Sequence, residues 1–148
     1  MEIKDSKFYR DKCYINGEWV NADSGETISV NNPANLKEIG TVPKCGTSET
    51  RNAIEAANNA WPEWRAKSAR QRSEILRKWF DLMIENKEEL AQIMTVEQGK
   101  PINESRGEIG YGASFVEWFS EEAKRVYGDT TVSYTHLTLP TIPTVWGA

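Results

Sequence analysis

The hydrophobic pattern of the chain changes its period once, near Thr47, and this change limits the possible folds most strongly. Before Thr47, short runs of β-branched and aromatic residues alternate with turn-forming residues, which is typical of strands. After Thr47, apolar residues recur every three to four positions, which indicates amphipathic helices. The order predicts a small antiparallel β N-terminus followed by four α-helices. Because so small a sheet is marginally stable alone, we expect it to pack on another element.

Turn-forming residues divide the N-terminal part into short strands. The predicted strands cover residues 14–15, 18–20, 27–30 and 36–42. Asn16 and Gly17 form the two-residue pair that closes a tight hairpin, since both residues tolerate a positive φ. Residues 23–25 and 32–35 predict two further turns. Pro43 is expected to end the last strand, and the strands together to form one small sheet.

Capping residues predict where the helices begin. The expected N-terminal residues are Thr47 or Ser48, Ser68, Asn86 and Pro101. Ser68 with Gln71, and Asn86 with Glu89, have the spacing of a capping box, in which each residue bonds the backbone of the other. Pro101 suits the first position of a helix because its missing N–H would have no helical partner there.

Breaking residues and small residues predict where the helices end and how they pack. Pro62 is expected to stop the first helix and Gly99 the third, and the fourth is predicted to run from about residue 101 to residue 127, before Gly128. Alanines at helical spacing form one face of the first helix: Ala53, Ala56, Ala57 and Ala60. Three glycines lie inside the fourth: Gly107, Gly110 and Gly112. Their order is not a dinucleotide-binding fingerprint, and we expect close backbone packing there.

Charge and hydropathy exclude several classes of protein. The chain has 18 Lys and Arg against 22 Asp and Glu, a net charge of −4, which argues against a nucleic-acid-binding module. No apolar run approaches the roughly 18 residues that cross a bilayer, so no membrane association is expected. Residues 1–12 lack the apolar core of a secretory signal. A cytoplasmic location is therefore predicted.

Nucleophilic and metal-binding side chains are few. The two cysteines, Cys13 and Cys45, are too few for a disulfide scaffold and show no zinc-binding spacing. The single histidine, His136, lies far from both along the chain, so no Cys–His pair is expected. We expect both thiols to be structural, since free cysteines are commonly buried. The sequence contains no complete catalytic constellation.

The composition changes abruptly near Thr131. Residues 133–143 contain no Asp, Glu, Lys or Arg, and they include two prolines, several threonines and His136. The chain is therefore divided into residues 1–131 and a distinct tail, residues 132–148.

Several motifs occur in the order found in one enzyme family. They are Tyr-Ile-Asn-Gly-Glu-Trp (14–19), Asn-Pro-Ala (32–34), Ala-Trp-Pro-Glu-Trp-Arg (60–65) and Thr-Val-Glu-Gln-Gly-Lys-Pro (95–101). With them the chain resembles the N-terminal part of the NAD(P)-dependent aldehyde dehydrogenases over about residues 14–130. Residues 107–129, and Phe-Val-Glu-Trp-Phe (115–119) in particular, resemble the succinate-semialdehyde dehydrogenase branch. The tail departs from the family and resembles a translated sequencing adapter, so we expect it to be an assembly artefact.

The resemblance implies an α/β enzyme that oxidises succinate semialdehyde to succinate and passes hydride to NAD or NADP. It implies a homo-oligomer whose partner is a small aldehyde. In this family a cysteine thiolate attacks the aldehyde and a glutamate activates water, and both residues, with the phosphate-binding glycines, lie beyond this chain's length. The chain would supply the first part of the cofactor-binding domain, with no catalytic or cofactor-binding residue, and would be inactive alone.

Two sets of site residues follow from the resemblance. Backbone carbonyls at Val30 and Asn31, with the carboxylate of Glu97, are implied ligands of a monovalent cation, and oxygen is the donor that a hard cation prefers. Gly107 and Tyr111, on one face of a helix, are implied to line the mouth of the substrate site. Two alternatives remain open, namely another aldehyde dehydrogenase branch and a freestanding helical interaction module.

Overall fold

The computed structural model describes residues 3–127, in which antiparallel strands precede four helices. The elements are a 3₁₀ turn Ile3–Asp5, β1 Cys13–Ile15, β2 Glu18–Val20, β3 Thr27–Asn31, β4 Glu38–Pro43, α1 Thr47–Ala66, α2 Ala69–Glu85, α3 Lys87–Gln98 and α4 Ile102–Glu122. The predicted order of elements is confirmed. The predicted helix stop at Gly128 and the tail 132–148 lie outside the described residues.

The strands form two separate two-stranded ribbons, so the prediction of one small sheet is wrong. In the first ribbon, β1 pairs with β2 around Asn16 and Gly17, whose φ angles of 53° and 85° fit the predicted tight turn. The chain then leaves β2 because the backbone N–H of Asp23 donates to the Glu49 carboxylate at 2.7 Å. Ala22 is buried at this point. The contact directs the chain toward α1 and separates the ribbons.

The second ribbon pairs β3 with β4, from Thr27 opposite Pro43 to Asn31 opposite Glu38. Its register is irregular between Val30 and Asn31. The predicted strand beginning at residue 36 starts two residues later, because Leu36 adopts a φ of 60° inside the turn. A left-handed residue cannot continue a strand.

Gly46, rather than Thr47 or Ser48, occupies the N-cap of α1, so that predicted cap is wrong. The Glu49 side chain accepts from the backbone N–H of Gly46 at 2.9 Å, while Gly46 itself offers no side chain to cap the helix. The Ser48 hydroxyl donates instead to the carboxylate of Asp23 at 2.8 Å. Glu49 therefore joins the start of α1 to the turn that follows β2.

Pro62 does not stop α1, which continues to Ala66. Proline has no N–H to donate to the carbonyl four residues earlier in the helix. Residues 57–63 are all exposed, so water can bond that carbonyl instead. The alanine face of α1 is also largely exposed.

The capping box of α2 is confirmed, and that of α3 is wrong. Ser68 and Gln71 bond each other's backbone N–H at 3.2 and 2.8 Å. The Asn86 side chain instead donates backward to the Leu82 carbonyl at 2.8 Å and closes α2. Glu89 accepts from the Ser6 hydroxyl at 2.6 Å, which holds the N-terminal turn against α3.

The predicted stop at Gly99 is confirmed, whereas Pro101 lies one position before its predicted place and α4 is shorter than predicted. Gly99 ends α3 with a φ of 68°, and Pro101 is the N-cap of α4, one position before the first helical residue. The helix ends at Glu122 rather than near Tyr127, because the N–H groups of Lys124 and Arg125 bond carbonyls three residues back. Such bonds form a tightened final turn.

The buried interior is small and consists mainly of short side chains where α2 and α3 pack on α4. The buried apolar residues are Ile3, Ala22, Ala91, Ile109 and Ala113. Ser105, also buried, shares a 2.8 Å hydrogen bond with the Thr95 hydroxyl. The expected close backbone packing at the α4 glycines is wrong: a Cβ on Gly107 would meet nothing within 4 Å, and those on Gly110 and Gly112 would approach only side chains.

Much of the apolar surface of the helices is exposed. Trp79 on α2 is 55% exposed, and Trp118 and Phe119 on α4 are 62% and 58% exposed. Large aromatic side chains normally bury most of their area, so these faces have the composition of a core without its covering layer. None of the helices among residues 3–127 has the length and apolar character that a bilayer crossing requires.

Candidate functional site

The first candidate site lies where the end of α3 meets the turn between β3 and β4. A Cβ on Gly99 would lie 2.8 Å from Cγ of Pro33 and 3.1 Å from the backbone N of Ala34. Only a glycine permits this approach without a shift, and its positive φ turns the chain toward α4 at the same point. The Asn-Pro-Ala turn (32–34) and the Glu-Gln-Gly-Lys segment (97–100) are 63 positions apart at their nearest ends and are therefore in direct contact only through the fold.

The turn is rigid because its polar groups are bonded internally. The side-chain carbonyl of Asn32 accepts from the backbone N–H of Ala34 at 2.9 Å. The backbone carbonyl of Asn32 accepts from Leu36 at 2.7 Å, and its N–H donates to the carbonyl of Lys37 at 2.9 Å. The first part of the turn thus presents a fixed backbone to α3.

Two of the three implied cation ligands lie together. Val30 and Glu97 line one small cavity of about 20 Å³, which also touches Arg10. A volume of this size holds about one water-sized particle. Asn31 follows at the irregular point of the ribbon but does not line the cavity.

The donor set partly fits a monovalent cation. The irregularity beside Val30 interrupts the regular ladder, and Glu97 supplies a carboxylate. Arg10 also lines the cavity, and its guanidinium donates to the carbonyls of Lys7 and Tyr9, so a positive charge near the cavity disfavours a cation. Residues 3–127 contain no group of three or more His, Cys, Asp or Glu side chains that could hold a metal ion. Any cation here would therefore depend on backbone oxygens.

The second candidate site is the exposed face of α4. Gly107 is exposed with open space around it, and Tyr111, one turn further, is 67% exposed. The ring of Tyr111 meets that of Phe115 edge to face, with centroids 4.8 Å apart. Tyr111, Phe115 and Trp118 have the spacing of one helical face, and we call them the aromatic row.

The aromatic row leads into a cleft of about 750 Å³ beside α2, which we call the α2–α4 cleft. Its walls carry three aromatic rings, three carboxylates, two arginines and one hydroxyl: Phe115, Trp118, Phe119, Glu117, Glu121, Glu122, Arg77, Arg125 and Ser114. Gly107 and Tyr111 do not line it; they lie beyond its N-terminal end along α4. The structure therefore places the two implied mouth residues beside the cleft but outside it.

The charges of the α2–α4 cleft are already paired. Arg77 on α2 binds Glu117 at 3.0 Å and Asp81 at 3.4 Å, and its guanidinium lies 4.9 Å from the ring centre of Phe80. Lys124 beside Glu121 lowers the pKa of that carboxyl, mainly through a hydrogen bond. Because Arg77 is paired with carboxylates, the cleft suits contact with an apolar surface better than binding of an anionic substrate.

One contact was not expected from the sequence. Cys13 in β1 and Cys45, just before α1, lie with their sulfur atoms 3.6 Å apart, and both are half-buried free thiols. Their separation of 32 residues carries no local signal. The hairpin at Asn16 and Gly17 shows only that the chain reverses, not which later residue meets β1.

These features define a class: the chain belongs to the aldehyde dehydrogenase family, whose sequence profile matches residues 19–142. It is 62% identical over 130 residues to glutarate-semialdehyde dehydrogenase of Pseudomonas putida, covering 88% of this chain and 27% of that protein. It is 57% identical over 130 residues, with the same coverage, to the NADP-dependent succinate-semialdehyde dehydrogenase of Escherichia coli.

A solved structure has the same arrangement of elements. A crystal structure of an NADP-dependent enzyme of Escherichia coli superimposes with a TM-score of 0.84 at 55% identity, over 89% of this chain and 27% of that chain. The chain thus spans about a quarter of the length of these relatives, and corresponds to their N-terminal part. The predicted resemblance to the family is confirmed.

Proposed function

We propose that this chain is the N-terminal part of an enzyme that oxidises succinate semialdehyde to succinate with NAD or NADP. The observation that carries the proposal is the identity of 57–62% to proteins named as succinate- and glutarate-semialdehyde dehydrogenases. Both names describe an ω-semialdehyde of a dicarboxylic acid, and the two substrates differ by one methylene. Glutarate semialdehyde is therefore the main alternative substrate, and other aldehyde dehydrogenase branches remain as further alternatives.

The cofactor would accept hydride from the substrate when bound to the whole enzyme. Residues 3–127 do not fit a dinucleotide: their strands are antiparallel ribbons, and Gly107, Gly110 and Gly112 lie within α4 rather than in a loop between strand and helix. We therefore assign no step through the cofactor to this chain. Its own part would be to cover one side of the enzyme and border the aldehyde entrance.

We assign no catalytic residue to the chain. Cys45 is a poor nucleophile because the hydrogen bond with Cys13, partial burial and nearby carboxylates all raise its pKa. The 148-residue chain should therefore show no turnover of succinate semialdehyde with NAD or NADP. Measurable reduction of either cofactor that depends on the aldehyde would contradict this assignment.

The substrate can be tested with chimeras. The aligned N-terminal 130 residues of the Pseudomonas putida and Escherichia coli relatives are replaced by those of this chain, and kcat/KM is measured for both semialdehydes. We expect both chimeras to be active and their succinate-to-glutarate ratios to shift toward succinate relative to the parents. A shift toward glutarate in both would favour the alternative substrate. Inactive chimeras that nevertheless fold would contradict the proposal.

We further propose that Gly107 and Tyr111 border the aldehyde entrance. The exposure of Tyr111 and the open space at Gly107 support this, since both are accessible from solvent. In the chimera, Tyr111→Ala should raise KM for the aldehyde while KM for the cofactor stays unchanged. Trp61→Ala, at an aromatic residue of α1 that is also more than half exposed, is the matched control. Equal effects of the two substitutions would contradict the role of Tyr111.

We also propose that Val30 and Asn31 carbonyls and the Glu97 carboxylate hold a monovalent cation in the whole enzyme. The shared cavity of Val30 and Glu97 supports this. Replacing K⁺ by a bulky organic cation should lower the thermal midpoint of the chimera, and Glu97→Gln should weaken that dependence. Glu104→Gln, at an exposed acid of α4, serves as the control. An unchanged K⁺ dependence in Glu97→Gln would refute the site.

A freestanding helical interaction module is the second candidate. It requires a closed core, yet five apolar residues are buried within residues 3–127, while the large rings of Trp79, Trp118 and Phe119 are more than half exposed. This distribution favours a part of a larger enzyme, which we propose to be cytoplasmic and homo-oligomeric. A monomeric chain that melts cooperatively without binding a hydrophobic dye would favour the module instead.

A further inference from the structure

The pair of thiols formed by Cys13 and Cys45 lies outside both candidate sites. Cys13 is the first residue of β1, and Cys45 lies in the segment that joins β4 to α1. Their sulfur atoms are 3.6 Å apart, and the Cys45 thiol donates toward Cys13. These are the two cysteines of the whole chain, so each thiol has one possible intramolecular partner.

The surrounding contacts hold the two thiols in place. Cys13 is paired across the first ribbon with Val20. On the other side, Cys45 precedes Gly46, whose N–H donates to the Glu49 carboxylate at 2.9 Å. The same carboxylate accepts from Asp23, shortly after β2, at 2.7 Å. Glu49 thus anchors the segments that carry both cysteines.

The distance suits a covalent bond after a small movement. A disulfide has sulfur atoms about 2.05 Å apart, so the two sulfurs must approach by about 1.5 Å. Both residues are half-buried rather than enclosed, so a small oxidant can reach them.

We propose that Cys13 and Cys45 form a reversible oxidation site, in which a peroxide converts the two thiols into an intramolecular disulfide. One thiolate attacks a peroxide oxygen and breaks the O–O bond, which gives a sulfenic acid and, after protonation, one water. The other thiol attacks that sulfur, the S–O bond breaks, and a second water leaves. The two sulfurs lose two electrons in total, and a thiol such as glutathione reverses the bond by exchange.

The local charges set the pace of this oxidation. The hydrogen bond with Cys13, partial burial and the carboxylates of Glu49 and Asp23 raise the pKa of Cys45. Cys45 is therefore largely protonated at neutral pH, and thiolate is the reactive form. The rate of disulfide formation should therefore rise with pH. At neutral pH the site should respond to prolonged exposure to an oxidant rather than to a brief pulse.

The test measures the disulfide equilibrium of the 148-residue chain against glutathione, in native buffer and in strong denaturant. Mass spectrometry follows the loss of two hydrogens, and peptide mapping locates the bond. If the fold holds the thiols together, the native equilibrium constant should exceed the denatured one by roughly 10²- to 10³-fold, the range typical of a bond that closes such a loop.

The matched control moves one thiol by one position, as Lys44→Cys combined with Cys45→Ser. The Lys44 side chain points to Glu26, with 2.8 Å between its Nζ and the carboxylate, so a thiol there should face away from Cys13 while the loop length stays almost the same. In the control, the native equilibrium constant for disulfide formation should exceed the denatured one by less than about tenfold.

The chimera with the Escherichia coli relative provides a second measurement in a full-length enzyme. There, the same two peptides should be linked after peroxide treatment and released by glutathione. A ratio of native to denatured equilibrium constants near one for the 148-residue chain, together with unlinked peptides in the chimera, would overturn the proposal. A ratio in the control equal to that of the native pair would overturn it as well.

Discussion

Gly99→Ala should destabilise the chain more than the same substitution at Gly17 or Gly25, the other glycines with a positive φ among residues 3–127. Gly99 has a φ of 68°, and a left-handed conformation costs an alanine about 1–2 kcal/mol. The new Cβ would also lie 2.8 Å from Cγ of Pro33 and 3.1 Å from the N of Ala34, well inside ordinary contact. Displacing a packed backbone typically costs a further 1–3 kcal/mol or so. The expected loss in unfolding free energy is therefore about 2–5 kcal/mol.

Gly25→Ala is the matched control, because Gly25 has a φ of 71° but nothing within 4 Å of its Cβ position. Gly25→Ala should lower the unfolding free energy only by the cost of the left-handed conformation, about 1–2 kcal/mol. Urea unfolding followed by far-UV circular dichroism gives both values, and amide exchange at Leu36 reports the turn directly. Equal losses for Gly99→Ala and Gly25→Ala, with unchanged exchange at Leu36, would refute the close approach of turn and helix.

Three further predictions concern stability. Backbone hydrogen bonds to the Glu49 carboxylate, first that from Asp23, hold its pKa below the ordinary value. Its stabilising contribution is therefore present at neutral pH and is lost as the pH falls through the lowered folded pKa. Glu49→Gln should therefore lower the thermal midpoint at pH 7 and differ less from the native chain near pH 3; a constant difference across that range would contradict this. Ser68→Ala should lower the unfolding free energy by about 1 kcal/mol in urea, because the α2 cap is lost. Gly107→Ala should raise the unfolding free energy by up to about 1 kcal/mol, since a helical Cβ enters open space; a loss would indicate a contact in the isolated chain at that face.

Local signals predicted most of the fold. The hairpin at Asn16 and Gly17, the capping box at Ser68 and the stop at Gly99 each depend on residues within one turn of one another. Such signals lie in the sequence itself, so they could be interpreted without knowing what packs nearby. The order of strands and helices followed from them.

The wrong predictions share a physical cause, which is a contact or an exposure set by distant parts of the chain. Asn86 has the residue type of a cap, but its side chain donates to the Leu82 carbonyl, and the Glu89 carboxylate accepts from the Ser6 hydroxyl. Pro62 was expected to end α1, yet the exposed helix continues because water can satisfy the freed carbonyl.

The family resemblance named residue sets for the candidate sites but carried no geometry for them. The family resemblance brought together Val30 and Glu97, and the structure places both at one cavity. It could not show that Arg10 reaches that cavity, nor that Tyr111 lies outside the α2–α4 cleft. The juxtaposition of Cys13 and Cys45 had no signal at all, because a spacing of 32 residues implies nothing until Glu49 ties the two segments together.

The bond between Ser6 and Glu89 links residues 83 positions apart, and this separation has a consequence during synthesis. A ribosome adds about 5–20 residues each second, so roughly 4–17 s pass between translation of the two partners. Both ribbons and the first two helices can form in that interval. The turn around Ser6 can bond Glu89 only after α3 has left the exit tunnel. Among residues 3–127, the turn around Ser6 is thus one of the last parts to reach its final contacts.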